Sequence, residues 1–417
     1  MTAPSAPTST RLSLQGDAPV ASEPSRYPVL AKGFRPFFLL AAGWATLSVP
    51  LWLLALYDVG SPGAHGPLAW HAHEMVFGFS VAVIAGFLLT AVGNWTGRET
   101  LVGGPLLALA ALWVAGRVAM LLVASGSSWI PALVELSFLP ALVIVLARPL
   151  IAARNAKNGI MVVLLVALFT ANLVTHLDAL GVLPGFGRTG LLVGVDVIIL
   201  VVLVIAGRII PTFTRSAMGS APSASQIRSI PSLDGLTVGA MAALIAAETV
   251  FPNRLLLATL AVLTAVLAVG RAVHWGTRST WDQPLLWILH LGYAWIPLGL
   301  LLRAAASFSP LFPAGMATHA LTAGAIGTLT IGMMARVSLG HTGRPLSASP
   351  AVAAAFVAVS AGAAIRVSAP LLAASISPAA YLGSLAIAGS LWSAAFAVYL
   401  IFFARLLTSA RPDGGRG

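Results

Sequence analysis

The sequence predicts an all-α, polytopic membrane protein of twelve transmembrane helices. Three observations predict it. Of 417 residues, 58% are hydrophobic and only 8% charged; the mean hydropathy is +0.94; and the apolar residues gather into twelve long runs separated by Gly, Pro, Ser and charged clusters. A soluble domain carries about 25% charged residues, so that class is excluded. Each run approaches or reaches the roughly 17–25 residues that cross a bilayer as a helix.

In order, the predicted helices 1 to 12 lie at 36–57, 71–93, 104–125, 130–147, 159–180, 190–210, 235–251, 255–273, 285–303, 315–337, 349–370 and 379–406. Residues 1–30, rich in Ser, Pro, Ala and Thr, lack the continuous apolar stretch of a signal peptide and are expected to form a disordered cytoplasmic tail. Residues 31–406 are expected to form the membrane domain and 407–417 a second cytoplasmic tail. The net charge of +11 does not indicate a nucleic-acid partner, because the arginines are scattered between apolar runs rather than gathered on one face. There is no cysteine, which removes disulfides, thiolate metal ligands and covalent haem attachment. Any metal is therefore held by nitrogen or oxygen.

Basic residues orient the helices, since cytoplasmic loops carry the excess of Lys and Arg. With the N-terminus inside, only Arg188, Arg254 and Arg303 fall outside, and Arg117 and Arg366 sit within helices 3 and 11. The remainder of the 23 lysines and arginines lies on the inner side. Both termini are expected in the cytoplasm.

This topology gives each ionisable residue a depth. His71, His73 and Glu74 open helix 2 at its outer end, His176 and Asp178 lie near the outer end of helix 5, and His319 begins helix 10. Glu135, Asp196, Glu248, Arg117 and Arg366 fall in outer halves. A smaller inner group is His290, early in helix 9, and His341, after helix 10. An ionisable side chain at a helix centre costs about 2.5–3.5 kcal/mol on insertion scales, so these residues are expected to face protein or a hydrated cavity.

Helices 2 and 10 also read as copies of one element. An offset of 246 residues, from His73 to His319, superposes Gly78 on Gly324, Gly86 on Gly332 and Thr96-Gly97-Arg98 on Thr342-Gly343-Arg344. Helix 6 runs the same way but carries Asp196 and no histidine; a spacing of four helices hints at a pseudo-threefold repeat of four-helix units. Gly78, Ala82 and Gly86, and likewise Ala320, Gly324 and Thr328, form small-residue stripes that admit either a neighbouring helix or a flat ligand.

The histidines allow several chemistries. His71 and His73 are roughly 200° apart on a regular helix, so they are expected to serve different sites. His71 shares a face with Glu74 at i+3, which would fix its tautomer from outside the metal shell. His73 and His319, on neighbouring helices at matching depth, suit the two axial positions of a haem, with Arg117 and Arg366 level with its propionates. The same imidazoles could instead hold copper or another transition metal, for which His71, His73, His176 and His319 would suffice; where haem takes His73 and His319, copper falls to some of His71, His176, His290 and His341. Glu74, Asp178 and Asp196 could tune such a site or relay protons. A lone interfacial histidine bonded to a carbonyl is the plainer alternative, and His65 and His274 keep that reading.

Longer segments carry a family resemblance. Gly33-Phe34-Arg35-Pro36-Phe37-Phe38, Trp70-His71-Ala72-His73-Glu74-Met75 running on to Ala85-Gly86-Phe87 and Gly93-Asn94-Trp95-Thr96-Gly97, Gly207-Arg208-Ile209-Ile210-Pro211, His290-Leu291-Gly292-Tyr293 and Ala335-Arg336-Val337-Ser338-Leu339-Gly340-His341-Thr342-Gly343-Arg344 resemble the signatures of the NnrS family over residues 30 to 405. The resemblance implies a bacterial inner-membrane protein that contains haem b and copper and is linked to nitric oxide metabolism and nitrosative stress. A more distant likeness is to the catalytic subunit of haem-copper oxidases and nitric oxide reductases, which also places low-spin haem ligands on helices 2 and 10. Here helix 6 has no histidine, helix 7 has no His-His pair and helix 10 lacks a second histidine beside His319, so the standard binuclear centre cannot be built.

Three functions stay open at this level. The chain binds haem and copper and binds or converts nitric oxide, as a redox enzyme if it turns over, with a separate electron donor. Alternatively it is a secondary transporter with Asp196 and Glu135 as coupling acids. The third reading is an assembly factor handling metal or haem in the membrane.

Overall fold

A computed structural model describes residues 27–57, 66–122, 129–375 and 377–415. The predicted tail residues 1–26, with Arg11 and Arg26, together with His65 and Arg416, lie outside the described residues. Among the described residues there are twelve helices long and apolar enough to cross a membrane: α1 Phe34–Leu56, α2 Pro67–Thr96, α3 Gly103–Leu122, α4 Trp129–Ala152, α5 Ala156–Ala179, α6 Gly187–Met218, α7 Pro231–Val250, α8 Arg254–Ala272, α9 Pro284–Ala306, α10 Ala314–His341, α11 Pro350–Leu371 and α12 Pro378–Thr408. Each coincides with one predicted run, and none of the described residues is in a strand. The boundaries follow local chemistry. Pro begins α2, α7, α9, α11 and α12, where its missing N–H costs nothing, and Gly97, at φ 65°, ends α2 in the left-handed region.

Burial sorts the helices into an inner and an outer set. Of the most apolar window of each, 83% is buried in α2, 78% in α10 and 67% in α6, against 22% in α7. The three inner helices are those spaced by four in the sequence. Neighbours in the chain pack side by side, and α12 closes the ring against α1, where the Trp392 indole donates to the Ala45 carbonyl at 3.1 Å. At the end of the bundle where α1 begins and α12 finishes, buried Arg35 donates through Nη1 to the carbonyls of Leu407 (2.9 Å) and Ser409 (2.8 Å), capping the last turn of α12.

The resemblance of α2 to α10 extends to their backbones. Both are α-helical up to and including the histidine, then widen into a π-helical segment, Glu74–Ser80 in one and Ala320–Gly327 in the other, before returning to α-helix. In α2 the Ser80 hydroxyl bridges the wide turn by donating to the Met75 carbonyl at 2.8 Å. The third inner helix, α6, is one uninterrupted 32-residue α-helix. The small-residue stripes admit protein rather than a flat ligand. A Cβ at Gly78 would lie 2.7 Å from Arg117 Nη1, one at Gly86 2.9 Å from the Phe38 ring, and one at Gly324 2.5 Å from the Trp295 ring.

Candidate metal centre

His71 and His73 diverge, as a regular helical turn requires. His73 turns toward α5 and enters a hydrogen-bonded polar cluster in the bundle interior. Its Nδ1 lies 3.0 Å from Glu74 Oε1 and its Nε2 3.1 Å from Asn172 Oδ1 and 4.0 Å from Glu135 Oε2. His176, one turn beyond Asn172 on α5, places Nε2 3.0 Å from the same Glu135 oxygen. The two imidazoles stand edge to face with centroids 5.1 Å apart. Asn172 Nδ2 donates to Glu135 Oε2 at 2.8 Å.

Arg117 of α3 neutralises the acids. Its Nη1 donates to both Glu74 oxygens at 2.9 and 2.8 Å, and Nη2 to Glu135 Oε1 at 2.7 Å. All six residues are buried. Removing a partner from such a network strands a charge in low dielectric, at about 3–5 kcal/mol. The guanidinium is accommodated because Gly78 has no side chain.

His73, Glu135 and His176 each offer one ligand atom, and these atoms lie within 4.8 Å of one another. Around an ion with bonds of about 2.0–2.2 Å, ligand atoms stand roughly 3–3.5 Å apart, a range that the 3.0 and 4.0 Å separations bracket. A donor set of two imidazoles and a carboxylate suits zinc, copper or iron.

His71 faces the other way. Its ring stacks on Trp52 of α1, with centroids 4.2 Å apart, and its buried Nδ1 has no hydrogen-bond partner. It lines a cavity of about 990 Å³ among α1, α2, α5, α6, α10, α11 and α12, together with His319, Arg366 and, from the polar cluster, His73 and His176. His319 donates from Nδ1 to the Gly315 carbonyl at 2.7 Å, which leaves the Nε2 lone pair free.

Several residues occupy other places than the sequence suggested. Arg117, expected opposite a haem propionate, meets two protein carboxylates. Glu74, expected behind His71, binds His73 and Arg117, which draw its carboxylate away from the His71 face. His290 has both ring nitrogens engaged, Nε2 with Thr214 Oγ1 and Nδ1 with Thr277 Oγ1, each at 3.0 Å. His341 packs beside Phe34, centroids 5.6 Å apart, at the end of the bundle where α1 begins. His290 and His341 are therefore too far along the bundle to share an ion with His71 or His176. Asp178 accepts from the Gly185 N–H at 2.5 Å and shapes the turn into α6. Asp196 is held bidentate by Arg303 at 2.9 and 2.8 Å, with Glu248 on the same guanidinium. Sequence reasoning placed Glu135 at the right depth but outside the site, and missed Asn172. Its spacing of four from His176, on one helical face, was the available signal.

The chain is a multi-span helical protein of the kind that crosses a membrane, with a buried His–carboxylate cluster that could hold a metal ion beside a largely apolar cavity. The NnrS protein family model matches residues 28–411, nearly the whole chain, and the chain belongs to that family. No curated protein matches it.

Proposed function

We propose that the chain is a copper- and haem-binding protein of the bacterial inner membrane that binds or converts nitric oxide, or shields iron centres from it, with both termini in the cytoplasm. The observation that carries the reading is the convergence of His73, Glu135 and His176 within 4.8 Å; family membership supplies the link to nitric oxide. Copper fits the three-residue cluster. Haem b fits the cavity, whose free His319 Nε2, unpartnered His71 Nδ1 and unpartnered Arg366 nitrogens are the groups such a ligand would satisfy. His71, rather than His73, would be the α2 residue to hold such a group beside His319, since His73 is bonded within the polar cluster.

When bound, reduced copper or haem supplies one-electron chemistry and affinity for nitric oxide. The protein's own part is positioning. Glu74 fixes the His73 ring through Nδ1, leaving Nε2 toward Glu135 and His176. Arg117 holds the Glu135 carboxylate by Oε1, so that Oε2 faces the two imidazoles. Apolar walls from Val195, Ile326 and Trp392 keep the cavity suited to an apolar gas.

Full-length protein, produced with ample copper and haem, tests the reading by metal analysis and a reduced-minus-oxidised visible spectrum before and after nitric oxide. Expected are stoichiometric copper, lost in His176→Ala, and sharp haem b bands that shift with nitric oxide and vanish in His319→Ala. Protein carrying neither group would overturn the reading and favour transport, with Asp196 and Glu135 as coupling acids.

A further inference from the structure

The two repeat-related helices stand beside two arginines, Arg117 buried and Arg366 half-buried, in different electrical settings. Arg117, beside α2, is bonded to Glu74 and to Glu135 of α4. Arg366 lies on α11 beside α10, one helical turn beyond Ala363, the residue onto which an offset of 246 carries Arg117. The offset of 246 residues that carries His73 onto His319 carries Glu135 onto Tyr381 of α12, and the Tyr381 hydroxyl is the polar neighbour of Arg366. At the position of Glu74 the second copy has Ala320. Both carboxylates of the first copy are thus replaced by neutral groups in the second. Among the described residues no carboxylate pairs with Arg366, and its Nε and Nη1 are buried without hydrogen-bond partners while the side chain lines the cavity.

A guanidinium in a mostly apolar cavity needs an anion, and its planar donors match a two-oxygen acceptor. We infer that Arg366 is a binding residue for a carboxylate-like oxyanion brought by the occupant of the cavity, taking the place that Glu135 and Glu74 fill beside Arg117. The inference rests on the proposed haem reading for one of its two sources, a haem propionate. The other source with the same chemistry is a free oxyanion such as nitrite. At about 990 Å³ the cavity lies at the upper end of the roughly 300–1,000 Å³ of ligand sites and has room for either.

Full-length protein from haem-starved cells, titrated with haem and with haem dimethyl ester, separates the sources. If the propionate is the anion, wild type prefers haem over the ester by roughly ten- to a hundredfold, the worth of a charge-assisted pair, and Arg366→Gln abolishes the preference. If wild type takes both alike but nitrite changes its tryptophan fluorescence in an Arg366-dependent way, the oxyanion is free and the inference also stands. Tyr381→Glu, which restores the first copy's acid, should mimic Arg366→Gln, whereas Tyr381→Phe should not; this pair decides the matter if Arg366→Gln does not fold. Arg366→Gln or Tyr381→Glu behaving as wild type in both titrations overturns it. Wild type that binds no haem overturns the haem reading alone, and the nitrite titration then judges Arg366 by itself.

Discussion

Glu135 ties Arg117 to the candidate metal cluster: one carboxylate oxygen takes the guanidinium at 2.7 Å while the other lies 3.0 Å from His176 Nε2. The orientation of the ligand oxygen is set by an arginine on a different helix. Substituting Glu135 by Gln keeps the shape, removes the ligand charge and leaves Arg117 with Glu74 alone. Copper per chain should fall by at least tenfold, the order seen when oriented ligands are disturbed. Metal analysis of the purified variant beside wild type measures it; unchanged copper would remove Glu135 from the site.

Arg117→Gln is expected to be far more damaging to the fold than Glu74→Gln. The first strands two buried carboxylates, at about 3–5 kcal/mol for breaking such a network. The second leaves Arg117 paired with Glu135. Thermal unfolding in detergent should rank them in that order, and equal midpoints would contradict the electrostatic account.

Glycine substitutions report on packing around the cluster. Gly78→Ala places a methyl 2.7 Å from Arg117 Nη1 and 2.9 Å from Trp44 Nε1 and should cost about 1–3 kcal/mol, the range for overpacking. Gly159→Ala in α5, with nothing within 4 Å, should stabilise by about 0.5–1 kcal/mol through helix propensity. Opposite shifts in melting temperature are the expected result.

His290 provides the control for the histidine assignments. Because His290 is bonded to Thr214 and Thr277 and belongs neither to the His73–Glu135–His176 cluster nor to the cavity lining, His290→Gln should lower stability yet leave copper content and the haem spectrum at wild-type values. Loss of copper alone in that variant would return His290 to the ligand set.

Lys32, just outside the membrane span, supplies a pH handle. Burial holds its ammonium below the ordinary 10.5, Glu99 opposes this, and Arg411 and Arg35 add to the lowering. The folded state binds fewer protons than the unfolded one between the lowered value and 10.5, so this residue's contribution to stability rises with pH across that window and is lost as pH falls. Lys32→Met should flatten the rise, as measured by melting temperature across the alkaline range.

The number and order of helices were legible because apolar run length is a direct consequence of bilayer thickness. The divergence of His71 from His73 was legible too, since it follows from 100° per residue. Which polar residues meet was not. Arg117, Glu135 and Asn172 come from three helices, and their rotation about their own axes is decided by packing at positions such as Gly78. Depth placed His290 and His341 at the far end, which already set them apart from the outer histidines. It could not reveal that two threonines satisfy His290, because Thr214 and Thr277 reach it from α6 and the loop before α9.

The π-helical segments after His73 and His319 make chain length itself a determinant of the site. A π turn holds one residue more than the α turn it replaces, so it survives only while that extra residue is present. Deleting any one residue within Glu74–Ser80 would let α2 relax to regular helix and swing the preceding turn by about 100° relative to the rest. His73 would leave Glu135 and His71 would leave Trp52 in the same motion, with every histidine of both sites still in the protein.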